Sequence, residues 1–377
     1  MRKYAVLIFL VVLGTALTWE NPTDNFLRDS SLSAIVGQMI MVGFVGTNSR
    51  SAGFRDVIHD LEQQTIGGVL FLRQNIVSTA ELRTMIEEIR RCACRLAPFI
   101  AIDAEGGVVD PVGAEYGYGH TDSPAEIGRG SEEQAREQYG ALAQKLDDLG
   151  FNMNLAPVVD LNLQPDNPII GRRGRSYSSS ALTVTRFAEI LIKEHRARDI
   201  LTVAKHFPGH GSSLADSHKV VTDVSQSWSS EELEPYRNLI KDRLADAIMI
   251  GHLVNNQRWG GVATQEGSTA ISQILRKELG FTGVAISDDL TMKGVGCETR
   301  EFADVVESAV KAGVDLLLIA NPIPGKPDVD IGDYVNSALV AGVSSGAVEF
   351  SAIERASRRV LALKAKLHRR DIQSVAE

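Results

Sequence analysis

Short apolar runs recur along this sequence, and each is followed by a stretch that is polar and helix-like. Most of the runs are apolar at every position rather than at alternate positions, which is typical of parallel strands covered on both faces. Eight such runs are present: 39–44, 68–72, 98–103, 151–159, 201–206, 247–252, 283–288 and 314–320. Eight strands alternating with helices over more than about 250 residues predict an α/β fold, a (β/α)8 TIM barrel forming one catalytic domain.

The segments between these runs carry the end signals of amphipathic helices. Residues 78–92 open on a serine with a glutamate three residues later, which is the pattern of a capping box. Residues 131–150 open on a serine and end on a glycine, and residues 299–313 repeat the helical pattern. A doubly wound open sheet is the alternative fold, but no GxGxxG turn follows the first strand.

The first residues differ from the rest of the chain. Arg2 and Lys3 make the start basic, residues 5–18 form an uninterrupted apolar run, and polar chain follows from Glu20. This is the layout of a secretory signal peptide, with a run short for a membrane-spanning helix. We therefore expect residues 1–19 to be a signal peptide or a membrane anchor, and residues 20–377 to form the barrel. The protein is then exported, periplasmic or extracellular, with no stable membrane insertion once the leader is cleaved.

Composition limits the class of partner. The formal net charge of −9 argues against nucleic acid or an anionic membrane surface as a partner.

The three cysteines, Cys92, Cys94 and Cys297, are an odd number and cannot form a complete disulfide framework. A zinc site is not indicated because Cys92 and Cys94 lack a second pair. We expect all three to be structural, with room for one disulfide in an exported protein.

Polar residues stand where several of the predicted strands end. Asp103 ends the third run, Lys205 and His206 end the fifth, His252 ends the sixth and Asp288 ends the seventh. The carboxyl ends of barrel strands converge on the face where active sites are built. Four such strand ends together predict a functional site on that face.

The fifth run leads into the sequence KHFPGHGSSLADSH, residues 205–218. Asp216 and His218 are two positions apart, so on extended chain they project to the same side and can hydrogen-bond. A carboxylate that holds one imidazole nitrogen fixes the tautomer and raises the basicity of the other nitrogen. The pair therefore predicts an acid/base group, whereas His210 is predicted to shape the loop.

The seventh run ends in two adjacent carboxylates, Asp288 and Asp289. Neighbouring side chains on a strand face opposite ways, so only one of the two is expected to point into the site. Asp288 is the candidate nucleophile, and Asp289 is expected to cap amides of the loop. The alternative is that both residues only cap the helix that follows.

A zinc or two-metal site is another interpretation of the histidine cluster. Four histidines with Asp216 and Asp288 could supply the ligands of a metal-dependent barrel hydrolase. However, no His-x-His pair ends the first strand, no HExxH occurs, and Lys205 would oppose a divalent cation. We therefore predict no metal and no organic cofactor.

The combination of KHFPGHG, DSH and ISDDLTM resembles glycoside hydrolase family 3. The particular similarity is to its single-barrel β-N-acetylglucosaminidases, which act on bacterial cell-wall fragments. It extends from about residue 33 to residue 365. Further segments resemble the family in the same order: GGVLFLRQNI, FIAIDAEGG, LGFNMNLAPVVDLN, NPIIGRRGRSYSS, IMIGH, TAIS and LRKELGFTGVAISDDL.

The resemblance implies roles for individual residues. Asp288 matches the catalytic nucleophile, and His218 matches an unusual histidine acid/base with Asp216 as its partner. Asp103 matches a residue that holds a distal sugar hydroxyl. The positions that match sugar-contacting or site-lining residues are Asp103, Arg175, Lys205, His206 and His252.

The activity that the resemblance implies is that of a retaining exo-β-N-acetylglucosaminidase. Its substrate would be terminal β-linked N-acetylglucosamine of peptidoglycan fragments or chito-oligosaccharides. Asp288 would form a covalent glycosyl-enzyme, while His218 would protonate the leaving oxygen and later activate water. The alternatives are a β-glucosidase or an N-acetylglucosaminide phosphorylase of the same family, a metal-dependent barrel hydrolase, and a non-catalytic sugar-binding barrel.

The sequence departs from the family pattern in two places. Where the family has Arg-Val-x-Arg after Asp-x-Glu-Gly-Gly, Val108 and Pro111 or their neighbours replace the two arginines. The family's GxRSFG appears as GRRGRSYS, and Arg175 is the predicted equivalent rather than Arg172 or Arg173. These changes leave the predicted catalytic pair intact and alter the distal sugar contacts.

Overall fold

A computed structural model of the protein describes residues 22–113, 116–117, 119–296, 300–320 and 330–367. The predicted leader and Cys297 lie outside the described residues. Within these ranges, none of the helices is long and apolar enough to cross a membrane.

Eight parallel strands form one sheet, and each coincides with a predicted apolar run. The strands are β1 (Ile40–Val42), β2 (Gly68–Phe71), β3 (Phe99–Ile102), β4 (Met153–Asn154), β5 (Leu201–Phe207), β6 (Ala247–Ile250), β7 (Val284–Ser287) and β8 (Leu317–Ile319). Neighbouring strands pair in the order β8-β1-β2-β3-β4-β5-β6-β7. A parallel bridge between Ile286 and Leu316 joins β7 to β8, and the Ser287 amide donates to the Leu316 carbonyl at 2.9 Å. The predicted (β/α)8 barrel is confirmed.

Helices follow the strands and pack against the sheet, as the alternation in the sequence predicts. The described α-helices are α1 (Pro22–Asp29), α2 (Leu32–Gly37), α3 (Ala52–Gln63), α4 (Thr79–Arg91), α5 (Pro124–Ile127), α6 (Glu132–Leu149), α7 (Ala181–Arg196), α8 (Glu234–Lys241), α9 (Phe302–Ala312), α10 (Ile331–Ser345) and α11 (Phe350–Lys364). A π-helix, Ala270–Glu278, precedes β7. Cys92 and Cys94, directly after α4, form a disulfide.

The predicted helix ends are set by side-chain caps. Ser78 Oγ accepts the Glu81 amide at 3.2 Å and begins α4. Ser131 and Gln134 form a reciprocal capping box at the start of α6. Gly150 ends α6 with a φ of 96°, a backbone conformation that a residue without a Cβ adopts without strain.

The interior of the barrel is filled by apolar side chains and closed at its amino-terminal end by α11. Val360 and Leu363 of α11 pack onto the interior cluster that includes Met41 and Ile286. Lys364 Nζ donates to the Gln38 and Gly67 oxygens, each at 2.7 Å, just before β1 and β2. Because this end is sealed, a ligand can approach the barrel axis from the opposite end, where the strands terminate.

The long segment that connects β5 to β6 lies at that opposite end of the barrel. It carries a short strand, Thr222–Asp223, which pairs in parallel with Leu253–Val254 after β6. A 3-10 turn, Ser230–Leu233, then leads into α8. The loop that contains the predicted acid/base pair is thereby attached at its far end to the neighbouring β6 loop.

Candidate active site

The predicted site residues meet at the carboxyl ends of the strands. Asp103 follows β3, Lys205 and His206 lie within the last part of β5, and His252 follows β6. Asp288 directly follows β7, and its amide donates to the Ile250 carbonyl at the end of β6 at 3.0 Å. The barrel topology therefore brings residues from four strands to one face.

A network of buried charges occupies one side of this face. Lys205 Nζ lies 2.6 Å from Asp103 Oδ1 and 2.7 Å from Glu105 Oε1. Arg175 binds both carboxylate oxygens of Glu105, at 2.7 and 2.8 Å. Lys205 and Glu105 are buried, whereas the Asp103 side chain is 33% exposed. The network thus presents a carboxylate, oriented by a lysine, at the face of the barrel where the strands end.

Glu105 is a member of this network that the sequence analysis did not single out. Burial raises the pKa of its carboxyl, but Arg175 and Lys205 more than offset this and hold the pKa well below its usual value. Glu105 is therefore an ionised group that orients two cations. The sequence did contain one signal for Glu105, its spacing from Asp103, since residues two positions apart on extended chain face the same side.

Asp160 is a second buried carboxylate that the sequence analysis missed. Its Oδ2 lies 2.7 Å from His206 Nδ1, and its Oδ1 accepts the amides of His206 and His210 at 3.2 and 2.8 Å. Burial raises the pKa of Asp160, but His206 and His210 bring it below its usual value. The imidazole of His206 is consequently held by Nδ1, and its Nε2 lies 3.4 Å from Arg175 Nη2.

Asp288 is partly buried at the centre of the site. Its Oδ1 accepts the Asp289 amide at 2.9 Å. Burial alone would raise its pKa, but the imidazoles of His206, His252 and His218, together with this amide, lower the pKa to about 2. The carboxylate therefore stays ionised across the neutral and mildly acidic range, as a nucleophile must.

Asp289 faces away from the site, as strand alternation predicts. Its Oδ1 accepts the amides of Thr291 and Ala320, each at 3.0 Å, and its Oδ2 accepts the Thr291 hydroxyl at 2.7 Å. These bonds cap the loop after β7 and tie it to the end of β8. The adjacent carboxylates thus have separate environments.

His252 lies beside the turn that follows the predicted nucleophile, and both of its ring nitrogens contact the protein. Its Nε2 lies 2.9 Å from the Asp289 carbonyl, and its Nδ1 lies 2.8 Å from Thr264 Oγ1. A carbonyl can only accept, so Nε2 carries the proton and Nδ1 accepts from the hydroxyl. Burial lowers the pKa of His252. Its geometry is that of a neutral group supporting the Asp288–Asp289 turn.

Asp216 and His218 form the predicted pair on the loop after β5. The pair stands on a turn rather than on extended chain as expected, because the Asp216 carbonyl accepts the amides of Lys219 and Val220, each at 3.0 Å. Asp216 Oδ1 lies 2.9 Å from His218 Nδ1 and accepts the His218 amide at 3.0 Å. Burial raises the pKa of Asp216, and these two contacts lower it, so the net shift is downward. The His218 side chain is 58% exposed and that of Asp216 15%. This arrangement orients Nε2 of His218 for proton exchange.

The loop after β3, where the sequence departs from the family pattern, carries an apolar residue on its surface. Val108 is 64% exposed at the position of one expected arginine, and Pro111 is buried. Between them, Asp110 forms a buried ion pair with Lys145 of α6, at 3.0 and 3.1 Å. The loop after β3 therefore presents an exposed apolar side chain where the family pattern predicts a cation.

The histidines and carboxylates of the site do not form a metal-binding cluster in the part of the chain that the structure describes. In those ranges no three His, Cys, Asp or Glu side chains come together so as to hold a metal ion. The histidines instead contact carboxylates, hydroxyls and a carbonyl of the protein, as described above. The absence of a metal requirement stays a prediction.

Glu232, in the 3-10 turn before α8, supports the start of the acid/base loop. Its Oε2 accepts the Gly211 amide at 2.8 Å, and its Oε1 accepts the Ser212 hydroxyl at 2.6 Å. Burial raises the pKa of Glu232 from 4.5 to about 8, against the effect of these donors and with a further contribution from Asp160. The native state therefore retains a proton that the unfolded chain releases.

We predict that Glu232 makes folding stability decrease as the pH rises from about 5 to about 8, because the native state binds the extra proton in this window. The Glu232→Gln variant should show a flatter pH dependence of the urea midpoint than the wild type. Glu231→Gln, an exposed neighbour, should keep the wild-type slope. Identical slopes for the wild type and Glu232→Gln would contradict the assignment.

Known proteins resemble this chain over most of its described length. Residues 31–363 match the glycosyl hydrolase family 3 N-terminal domain. Beta-hexosaminidase A of Pseudoalteromonas piscicida is 29% identical over 332 residues, which cover 81% of this chain and 54% of that protein. Beta-hexosaminidase of Neisseria meningitidis serogroup C is 34% identical over 281 residues, covering 70% of this chain and 73% of that protein.

A solved structure gives the same result. The family 3 β-N-acetylglucosaminidase of Paenibacillus sp. superposes with a TM-score of 0.80 at 30% identity, covering 89% of this chain and 62% of that one. This chain thus spans about half of the Pseudoalteromonas protein and less than two thirds of the Paenibacillus chain. Since the family model matches most of the sequence and the fold agrees, the chain belongs to glycoside hydrolase family 3.

Proposed function

We propose that this protein is a retaining exo-β-N-acetylglucosaminidase that removes terminal β-linked N-acetylglucosamine from peptidoglycan fragments or chito-oligosaccharides. The observation that carries the proposal is the placement of two groups at the carboxyl ends of the strands: Asp288 directly after β7, and His218 on the loop after β5 with its Nδ1 2.9 Å from Asp216 Oδ1. The lowered pKa of Asp288, to which His218 contributes, supports the pairing of these two groups. The names of the relatives, beta-hexosaminidase and β-N-acetylglucosaminidase, support an N-acetylated sugar as the substrate.

In the first step, Asp288 attacks the anomeric carbon while the bond from this carbon to the leaving oxygen breaks. His218 donates its Nε2 proton to that oxygen, so a free alcohol and a covalent glycosyl ester form. In the second step, His218 takes a proton from water, and the resulting oxygen attacks the anomeric carbon and releases Asp288. Asp216 holds the Nδ1 proton throughout and stabilises the imidazolium.

An imidazole acid/base suits the charge of this site. A second carboxylate close to Asp288 would raise the pKa of the nucleophile, because two anions in one site disfavour ionisation of both. A histidine serves the same two proton transfers without adding a negative charge. The downward pKa shift of Asp288, to which three histidines contribute, is consistent with this arrangement.

Substrate binding is assigned to the network around Glu105. Asp103, partly exposed and paired with Lys205 at 2.6 Å, would accept hydrogen bonds from sugar hydroxyls. Arg175 and His206 would line the same side of the sugar, with their orientations set by Glu105 and by the Asp160 contact of His206. These groups position the ring so that its anomeric carbon faces Asp288.

Substitution of the two predicted catalytic groups should affect different substrates. Asp288→Ala should lose at least about 10³-fold in kcat/KM on any aryl N-acetyl-β-glucosaminide, because no covalent intermediate can form. His218→Ala should lose much less with an activated leaving group, which departs without protonation, than with a poor one. Asp304→Asn, an exposed aspartate on α9, serves as the control. Activity retained by Asp288→Ala would refute the nucleophile assignment.

The class of substrate can be tested with a panel of aryl glycosides assayed with and without phosphate. We expect the N-acetyl-β-glucosaminide to react at least about tenfold faster than the β-glucoside, since a site that binds the acetamido group leaves polar groups unpaired without it. The product should be free N-acetylglucosamine whether or not phosphate is present.

The alternative functions give other results in the same panel. A sugar 1-phosphate product indicates a phosphorylase, and a preference for the glucoside indicates a β-glucosidase. Loss of activity with a chelator and its return with zinc indicates a metal-dependent hydrolase. Glycan binding without turnover of any aryl glycoside indicates a sugar-binding barrel.

We further propose that the protein is exported. The proposal rests on the basic start and apolar run within residues 1–19, and the Cys92–Cys94 disulfide supports an oxidising compartment. After expression of the full chain in a bacterium, we expect the protein in the exported or membrane fraction, and deletion of residues 2–19 should retain it in the cytosol. Equal cytosolic retention of both forms would contradict export.

A further inference from the structure

His210 is a buried histidine that the proposed reaction does not use. Its backbone is fixed on both sides of the Cα, because its amide donates to Asp160 Oδ1 at 2.8 Å and its carbonyl accepts Asn167 Nδ2 at 2.7 Å. Only 1% of the residue is exposed. It is therefore a rigid point of the barrel face at the start of the acid/base loop.

The imidazole of His210 joins two serines of that loop. Its Nδ1 lies 2.7 Å from Ser213 Oγ, and its Nε2 lies 3.1 Å from Ser217 Oγ. Burial lowers the pKa of His210 to about 4, so the ring is neutral near pH 7. A neutral imidazole donates through one nitrogen and accepts through the other, and hydroxyls can do either. The ring therefore bridges the two serines in both tautomers.

Ser217 is the residue between the two members of the acid/base pair. Its side chain points into the protein toward His210, whereas His218 points out and is 58% exposed. The Ser217 carbonyl also accepts the Gly294 amide at 3.0 Å, in the loop that follows the predicted nucleophile. A Cβ at position 294 would lie 2.6 Å from that carbonyl oxygen, so this close approach needs a glycine.

The rest of the loop offers little packing to hold the pair in place. Leu214 is 70% exposed on one side of the pair, and Val220 and Val221 are 49% and 53% exposed on the other. Among the described residues, the inward contacts of Ser217 therefore link the acid/base pair directly to the barrel. Without them, the backbone that carries His218 has more freedom relative to Asp288.

We propose that His210 is a positioning residue of the acid/base loop. Through Ser217 it holds the Asp216–His218 pair against the loop that carries Asp288. The inference rests on the proposed function, in which His218 exchanges the proton. It predicts a defect in proton transfer to the leaving group and none in nucleophilic attack, because Asp288 keeps its own contacts at the end of β7.

The test compares leaving groups in variants that break the bridge. Ser217→Ala and His210→Phe each remove one polar partner of the bridge, whereas His210→Gln keeps an amide group that can hydrogen-bond to Ser217. The substrates are aryl N-acetyl-β-glucosaminides with leaving groups from activated to poor, and kcat/KM reports the steps up to glycosyl-enzyme formation. The matched control is Ser227→Ala, which changes an exposed serine on the same segment between β5 and β6. His218→Ala is the reference for complete loss of the acid/base group.

We expect Ser217→Ala and His210→Phe to lose roughly 10- to 100-fold with the poorest leaving group and less than about threefold with the most activated one. His210→Gln should recover part of the loss, and Ser227→Ala should match the wild type. A thermal unfolding curve for each variant separates this selective loss from incomplete folding, which lowers kcat/KM equally for every leaving group.

Two results would overturn the inference. If His218→Ala shows the steep dependence on the leaving group but Ser217→Ala does not, the acid/base assignment stands and the positioning role fails. If His218→Ala itself shows no such dependence, the acid/base assignment fails and the positioning role fails with it.

Discussion

The arrangement of the site depends on one buried carboxylate, that of Asp160. It accepts hydrogen bonds from the His206 imidazole and from the amides of His206 and His210, so it joins the end of β5 to the start of the acid/base loop. Three N–H donors stabilise its charge where no water can do so. The same contacts set the direction of the His206 ring, which contributes to the low pKa of Asp288.

The fold divides the site into a fixed part and an exposed part. The predicted nucleophile and the Lys205–Glu105 network lie on strand ends above a sealed, apolar barrel interior. The acid/base pair lies on the long segment between β5 and β6, and the His218 side chain is more than half exposed. Glu232 and His210 connect the two parts by holding the beginning and the middle of the loop.

The sequence predicted the barrel because continuous apolar runs mark parallel strands, and it located Asp103, Lys205, His206 and Asp288 because each stands at a strand end. It did not reveal the buried carboxylates Glu105, Asp160 and Glu232. Their partners lie far along the chain: 70 residues separate Arg175 from Glu105, and 46 separate His206 from Asp160. Such pairs depend on strand order and loop path, which local patterns do not encode.

The central claim is that Asp288 carries the sugar while His218 serves both proton transfers. The most direct measurement is peptide mass mapping of His218→Ala after mixing with an activated aryl N-acetyl-β-glucosaminide, since hydrolysis of the intermediate needs the missing base. We predict one N-acetylhexosamine residue attached to the peptide that contains Asp288, and none in Asp288→Ala. A sugar on another residue, or turnover through an inverted anomeric product with no adduct, would contradict the claim.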